Sequence, residues 1–184
     1  GRSVPLNLDR EDENMSARWA SDSRGRSHYL LHQEMSQSCG PACVAMAESF
    51  YKLACMLDPE SRARQLSQNY PGRFDEKSGT NAGNLAYVLN AEGVPTYAST
   101  GVGPAKLFDY FWAYIGERTK IIAHIAWSGG GGHFTLLKQI DADHRMIFLD
   151  PWYDVVEVPR ASLPNYNVGG AKGTLSGWLT IVHK

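Results

Sequence analysis

Residue patterning changes abruptly at Gly116, and that change constrains the fold more than any other feature of the chain. Before it, apolar residues recur at helical spacing. Met46, Phe50, Leu53 and Leu57 mark one such face, Leu85, Val88 and Leu89 a second, and Leu107, Phe108, Phe111, Trp112 and Ile115 a third. After it, the segments 120–127, 133–140, 145–149, 155–158 and 175–182 are β-branched and aromatic, and Asp141-Ala142-Asp143 reads as a turn between two of them. Helices first and antiparallel strands second predict an α+β fold, a helical half followed by a sheet half.

The punctuation agrees with this division. A helix is predicted from Cys39 to about Met56. Asp58 caps, and Pro59 opens, a second over 59–69, which Tyr70-Pro71-Gly72 breaks. Thr80 is the predicted cap of a helix over 81–92, with Gly93 as its stop. Residues 94–98 read as an edge strand, Pro104 starts a further helix, and 28–35 suggest a strand leading into a loop. No repeat or linker divides 28–184, which is therefore read as one domain. Residues 1–27 carry five Arg and five Asp or Glu without sustained periodicity. They read as a polar lead, disordered or serving as a linker, with a propeptide or a strap that packs on the body as the lesser alternatives.

Composition excludes several classes of function. A chain of 184 residues with 43% hydrophobic content can bury a core, and its formal net charge of −1 leaves no basic footprint for nucleic acid. No apolar run approaches the ~20 residues that a membrane-spanning helix needs. Cys39, Cys43 and Cys55 are too few, and odd in number, for a disulfide framework, so all three read as thiols. Nothing in the sequence sets an oligomeric state.

The chemistry begins at Ser38-Cys39-Gly40-Pro41-Ala42-Cys43. The Ala-rich stretch that follows Cys39 predicts a helix, which places this thiol at a helix N-terminus. There unpaired N–H groups and the macrodipole favour the thiolate. Gln33, just upstream, offers a side-chain amide to a developing oxyanion. Cysteine catalysis also needs a base held in one tautomer. His133 follows four glycines, Gly129 to Gly132, and opens one strand, while Asp150 closes the next. An antiparallel hairpin turning at 141–143 sets the two side by side. Cys43 reads as a packing residue, and the glycines as a loop that lets a substrate main chain approach closely. Trp127, Trp152 and Tyr153 are read either as an apolar subsite or as core aromatics. His28 and His32, four apart, and the Cys39/Cys43 pair are only loosely ligand-like. The reading therefore calls for no metal and no cofactor. No Gly-x-Ser-x-Gly elbow supports serine catalysis.

Taken in order, Gln33, Cys39-Gly40-Pro41-Ala42-Cys43, Gly132-His133-Phe134 and Asp150-Pro151 resemble the papain-like cysteine peptidases. They are similar in particular to the bacteriocin-processing double-glycine group and to secreted avirulence proteases of plant-pathogenic bacteria. The resemblance implies a cleft between a helical and a sheet half. It implies Cys39 as nucleophile, His133 as general base and acid, Asp150 as its orienter, and Gln33 with the Cys39 N–H as oxyanion donors. A protein or peptide is the implied substrate. The double-glycine peptidases stand before a transporter, whose membrane helices and ATP-binding domain have no counterpart here. The Cys39 to His133 spacing is also long for that group, which predicts an insertion within 58–80 or 99–119. A secreted or delivered bacterial effector or toxin-associated protease is the resulting expectation. A deamidase or transglutaminase-type toxin acting on Gln side chains, and a non-catalytic binding module, are the rival readings.

Overall fold

The computed structural model describes residues 17–52, 58–75 and 79–183. Two strands, β1 (Ala17–Ser21) and β2 (Ser27–Leu31), form an antiparallel hairpin. Three helices follow: α1 (Cys39–Lys52), α2 (Pro59–Asn69) and α3 (Ala82–Ala91). Strand β3 (Thr96–Ser99) and a 3-10 turn at Pro104–Lys106 lead into α4 (Leu107–Tyr114). The remainder is sheet: β4 (Thr119–Trp127), β5 (Gly132–Ile140), β6 (Arg145–Asp150), β7 (Asp154–Pro159), β8 (Asn165–Val168) and β9 (Ala171–His183). All pairings are antiparallel, in the order β3-β9-β4-β5-β6-β7. The long β9 takes β8 along its first half and β3 along its second. The α+β organisation expected from the patterning is the observed one.

The central strands are nearly continuous apolar runs because both faces of the sheet are covered. Ile122, Phe134, Leu136, Leu149 and Val182 meet α1, α3 and the buried Leu30 and Leu31 on one side. On the other, Ile121, Ile125, Leu137, Phe148 and Ile181 meet Leu107, Phe108 and Phe111 of α4 together with Tyr166 of β8. A glycine is obligatory at 177. Its φ is +86°, and a side chain there would collide with the carbonyl of Val102 where the β3–α4 connection crosses β9.

Local signals account for most helix ends. Asp58 accepts from the Glu60 amide at 2.8 Å ahead of Pro59, and Gly93, at φ +85°, follows α3. The cap of α3 is Asn81 rather than the expected Thr80: Asn81 Oδ1 accepts from the Asn84 amide at 2.8 Å. Thr80 instead donates to the Arg73 carbonyl at 2.8 Å. The predicted continuation of α1 to Met56, with Leu53, Cys55 and Leu57, lies outside the described residues.

The largest difference from the sequence reading concerns residues 17–27, assigned there to the polar lead. They form β1 and the turn into β2, and charge rather than an apolar stripe holds them. Arg18 pairs with Asp154, and Arg24 with Asp141 and Asp143. Arg26 pairs with Asp141 and with Asp22. The Ser23 hydroxyl donates to Glu157 at 2.6 Å. The buried Asp22 carboxylate accepts from His28 Nε2 at 2.8 Å, and His28 Nδ1 accepts from Lys138 Nζ at 2.7 Å. Burial opposes the Asp22 charge, but His28, Arg26 and two backbone amides hold its carboxyl well below the usual range. Residues 1–16 lie outside the described residues.

Candidate active site

Cys39 is the first residue of α1 and is only 7% exposed. The segment before it is held by its own backbone: the Ser38 amide donates to the Met35 carbonyl at 3.1 Å, and the Ala42 amide to Ser38 at 3.0 Å. Gly40 lets α1 press against Thr80, whose methyl would stand 2.6 Å from any Cβ added there. The first turn carries no acidic side chain, so nothing on the helix offsets its positive end. Cys43, one turn on, is fully buried, and burial pushes its thiol well above the usual range.

His133 is the second residue of β5. Its Nε2 donates to Asp150 Oδ1 at 2.8 Å, which leaves Nδ1 as the ring nitrogen open to the Cys39 thiol. Pairing of Leu136 with Leu149, carried one residue further, sets Asp150 opposite Thr135. The histidine and the aspartate are thus diagonal neighbours on one face. Burial lowers the His133 pKa, but hydrogen bonds and charge from Asp150 and Cys39 outweigh it and raise the value to about 9. The imidazole is therefore a cation at neutral pH. Trp127 stacks over the ring with centroids 5.5 Å apart, and Tyr153 meets its edge. These two aromatics pack on the histidine. Trp152 is 45% exposed and stacks on His32 instead.

Asp150 ends β6 and has no exposed surface. Its Oδ1 also accepts the amides of Trp152 at 2.8 Å and Tyr153 at 3.1 Å, a local turn made by the residues after the strand. Its Oδ2 accepts from the Tyr166 hydroxyl at 2.7 Å.

Gln33 lies between β2 and α1 and is 2% exposed. Its backbone amide donates to the Pro151 carbonyl at 2.8 Å, and its Nε2 donates to the Met35 carbonyl at 2.7 Å. Among the described residues that bond is the one Nε2 makes, and the buried Oε1 has no partner. Glu60 of α2 fixes this segment from outside, accepting the Glu34 and Met35 amides at 3.0 and 2.9 Å.

Beside Cys39 is a cavity of about 130 Å³ lined by Gln37, Thr80, His124, Gly132 and Phe134. His124 and Tyr166 escaped the sequence reading. His124 sits within an apolar strand, bonded through Nδ1 to Ser176 Oγ at 2.8 Å, and burial followed by the His133 charge lowers its pKa. Gly132 is required here, since a side chain would strike the His124 ring. Gly130 and Gly131 turn the chain at φ +99° and +84°. Of the loosely metal-like pairs, His28 is engaged by Asp22 and Lys138, and His32 is stacked on Trp152.

No family model matches the chain, and no characterised protein matches it by sequence. Among solved structures, the peptidase domain of Streptococcus mutans ComA, in complex with a small-molecule inhibitor, is similar with a TM-score of 0.53 at 16% identity. The match covers 85% of this chain and 100% of that domain. The chain has the papain-like peptidase fold. The Pseudomonas avirulence protein AvrPphB is a weaker likeness, with a TM-score of 0.34 and 12% identity over 68% of this chain and 76% of that one. No helix among the described residues is long and apolar enough to cross a membrane.

Proposed function

We propose that this chain is a thiol endopeptidase in which Cys39, His133 and Asp150 form the catalytic triad. The observation that carries the reading is His133, bonded to Asp150 at 2.8 Å, with Cys39 and Asp150 raising its pKa to about 9. An imidazolium beside a thiol at a helix N-terminus favours the thiolate–imidazolium pair. The thiolate attacks the scissile carbonyl, and the unused Nε2–H of Gln33 and the Cys39 amide receive the oxyanion. His133 passes its proton to the leaving amine. It then takes one from water, which hydrolyses the thioester and regenerates Cys39. Asp150 holds the ring in one tautomer throughout.

The unit to which we assign this activity begins with the Ala17 hairpin, because Gln33 hangs directly from β2. Its placement as a bacterial effector or toxin-associated protease rests on the motif resemblance and is tested by expressing active and Cys39→Ala protein in host cells. The reaction itself is tested with a peptide library and host extract read by mass spectrometry. Backbone scission that disappears in Cys39→Ala is the expected result. A gain of about one dalton at Gln without scission would instead mark a deamidase using the same acyl chemistry. Full cleavage by Cys39→Ala would refute the assignment.

A further inference from the structure

Tyr166 takes no part in the steps above, yet its side chain ends on the triad. It lies on β8, a four-residue strand, and is wholly buried. Its Oη is 2.7 Å from Asp150 Oδ2 and 3.0 Å from Thr135 Oγ1. An ionised carboxylate only accepts, so the Tyr166 hydroxyl donates to it. Thr135, itself fully buried and two residues along β5 from His133, packs its hydroxyl against the phenol oxygen and donates to the Leu149 carbonyl at 3.3 Å. The two oxygens of Asp150 are served unequally. Oδ1 has His133 and two backbone amides, whereas Oδ2 has Tyr166 as its partner among the described residues.

We infer that Tyr166 is a positioning residue: its hydroxyl holds the buried Asp150 carboxylate fixed toward His133. This inference rests on the peptidase reading of the previous section. In a site closed to water, a carboxylate oxygen left without its donor would turn toward another partner and loosen the bond to His133. Asp150 sustains the His133 cation against burial, so a displaced Asp150 weakens that cation. The titratable groups facing Asp150 are His133 from β5, Tyr166 from β8, Cys43 from α1 and His32 from the segment after β2, with Cys39 beyond His133. Burial, followed by the Asp150 charge, pushes the Tyr166 phenol well above its ordinary range, so it remains a donor wherever the triad functions.

The test is alkylation of Cys39 by iodoacetamide as a function of pH, followed by mass spectrometry of the Cys39 peptide so that Cys43 and Cys55 are counted apart. It needs no substrate. Wild type is expected to show an acid limb, where the ion pair assembles, and an alkaline limb, where His133 loses its proton. Tyr166→Phe should move the alkaline limb, set by His133, downward by about one pH unit, the scale of one weakened hydrogen bond to the imidazolium. Thr135→Val, which leaves the phenol but removes the hydroxyl packed beside it, should move it the same way by less, and this variant carries the test if Tyr166→Phe does not fold. A purely structural role would lower the melting temperature and leave the limbs in place. Profiles of the folded variants that superimpose on wild type overturn the inference while the peptidase reading stands. A wild-type Cys39 that titrates as an ordinary thiol, unaltered by His133→Ala, overturns both.

Discussion

Asp150→Asn probes how much of the site depends on a single charge. The carboxamide preserves the shape. Its oxygen can still accept from His133 and from the amides of Trp152 and Tyr153, and its NH2 can face Tyr166. What disappears is the negative charge. His133 rises from 6.5 to about 9 although burial pulls it down, and Asp150 contributes more than Cys39 through both hydrogen bonding and charge. An opposite charge in contact is worth about 1 to 3 pKa units, so losing the Asp150 charge should cost the imidazolium about 1.4 to 4 kcal/mol. The ion-pair population at a pH above the new His133 value should fall by between about tenfold and a thousandfold. The rate of Cys39 alkylation measures it directly, and peptide hydrolysis should fall at least as far. The folded variant should be recognisable by unchanged circular dichroism. An alkylation rate within about threefold of wild type would refute the argument that Asp150 sustains the cation.

Two further outcomes follow from the same geometry. Gln33→Ala should lower turnover by about 10² to 10³ as an oxyanion donor, while the lost bond to Met35 costs only about 1 kcal/mol of stability; a turnover loss below about twofold would remove the role. Because the folded His133 pKa lies above its unfolded value of 6.5, its contribution to stability is complete below pH 6.5 and is lost as pH rises through about 9. Denaturant midpoints measured on either side of that window should drop for wild type and drop less for His133→Gln, and equal drops would contradict the shift.

Much of this was legible in the sequence, for identifiable reasons. Strands β4 to β7 and β9 announce themselves because a sheet covered on both faces requires unbroken β-branched runs. Cys39, His133 and Asp150 stand at the ends of elements, where punctuation residues mark position. What escaped depends on contacts distant in sequence. Tyr166 looks like any strand aromatic, and only the closure of β8 on β9 carries it to Asp150. His124 lies inside an apolar run and shows its cavity side only once β5 is paired with β4. The hairpin at residues 17–31 read partly as a solvated lead because only Arg26, beside Asp22, has an acidic partner nearby in sequence. The other partners of its arginines lie 115 to 136 residues away. Asn81 displaced Thr80 as a cap because Thr80 has a better acceptor in the Arg73 carbonyl.

The single backbone bond from the Gln33 amide to the Pro151 carbonyl has a consequence of its own. It stitches the segment that carries the proposed oxyanion donor to the peptide immediately following Asp150, across the seam between the hairpin and the sheet. The proposed acceptor of negative charge and the proposed support of positive charge are therefore tied by one bond. A movement of the hairpin on β6 and β7 would pull on both. Variants in its ionic seat at Asp22 or Arg26 would then be felt at both ends of that bond, with the triad residues themselves untouched.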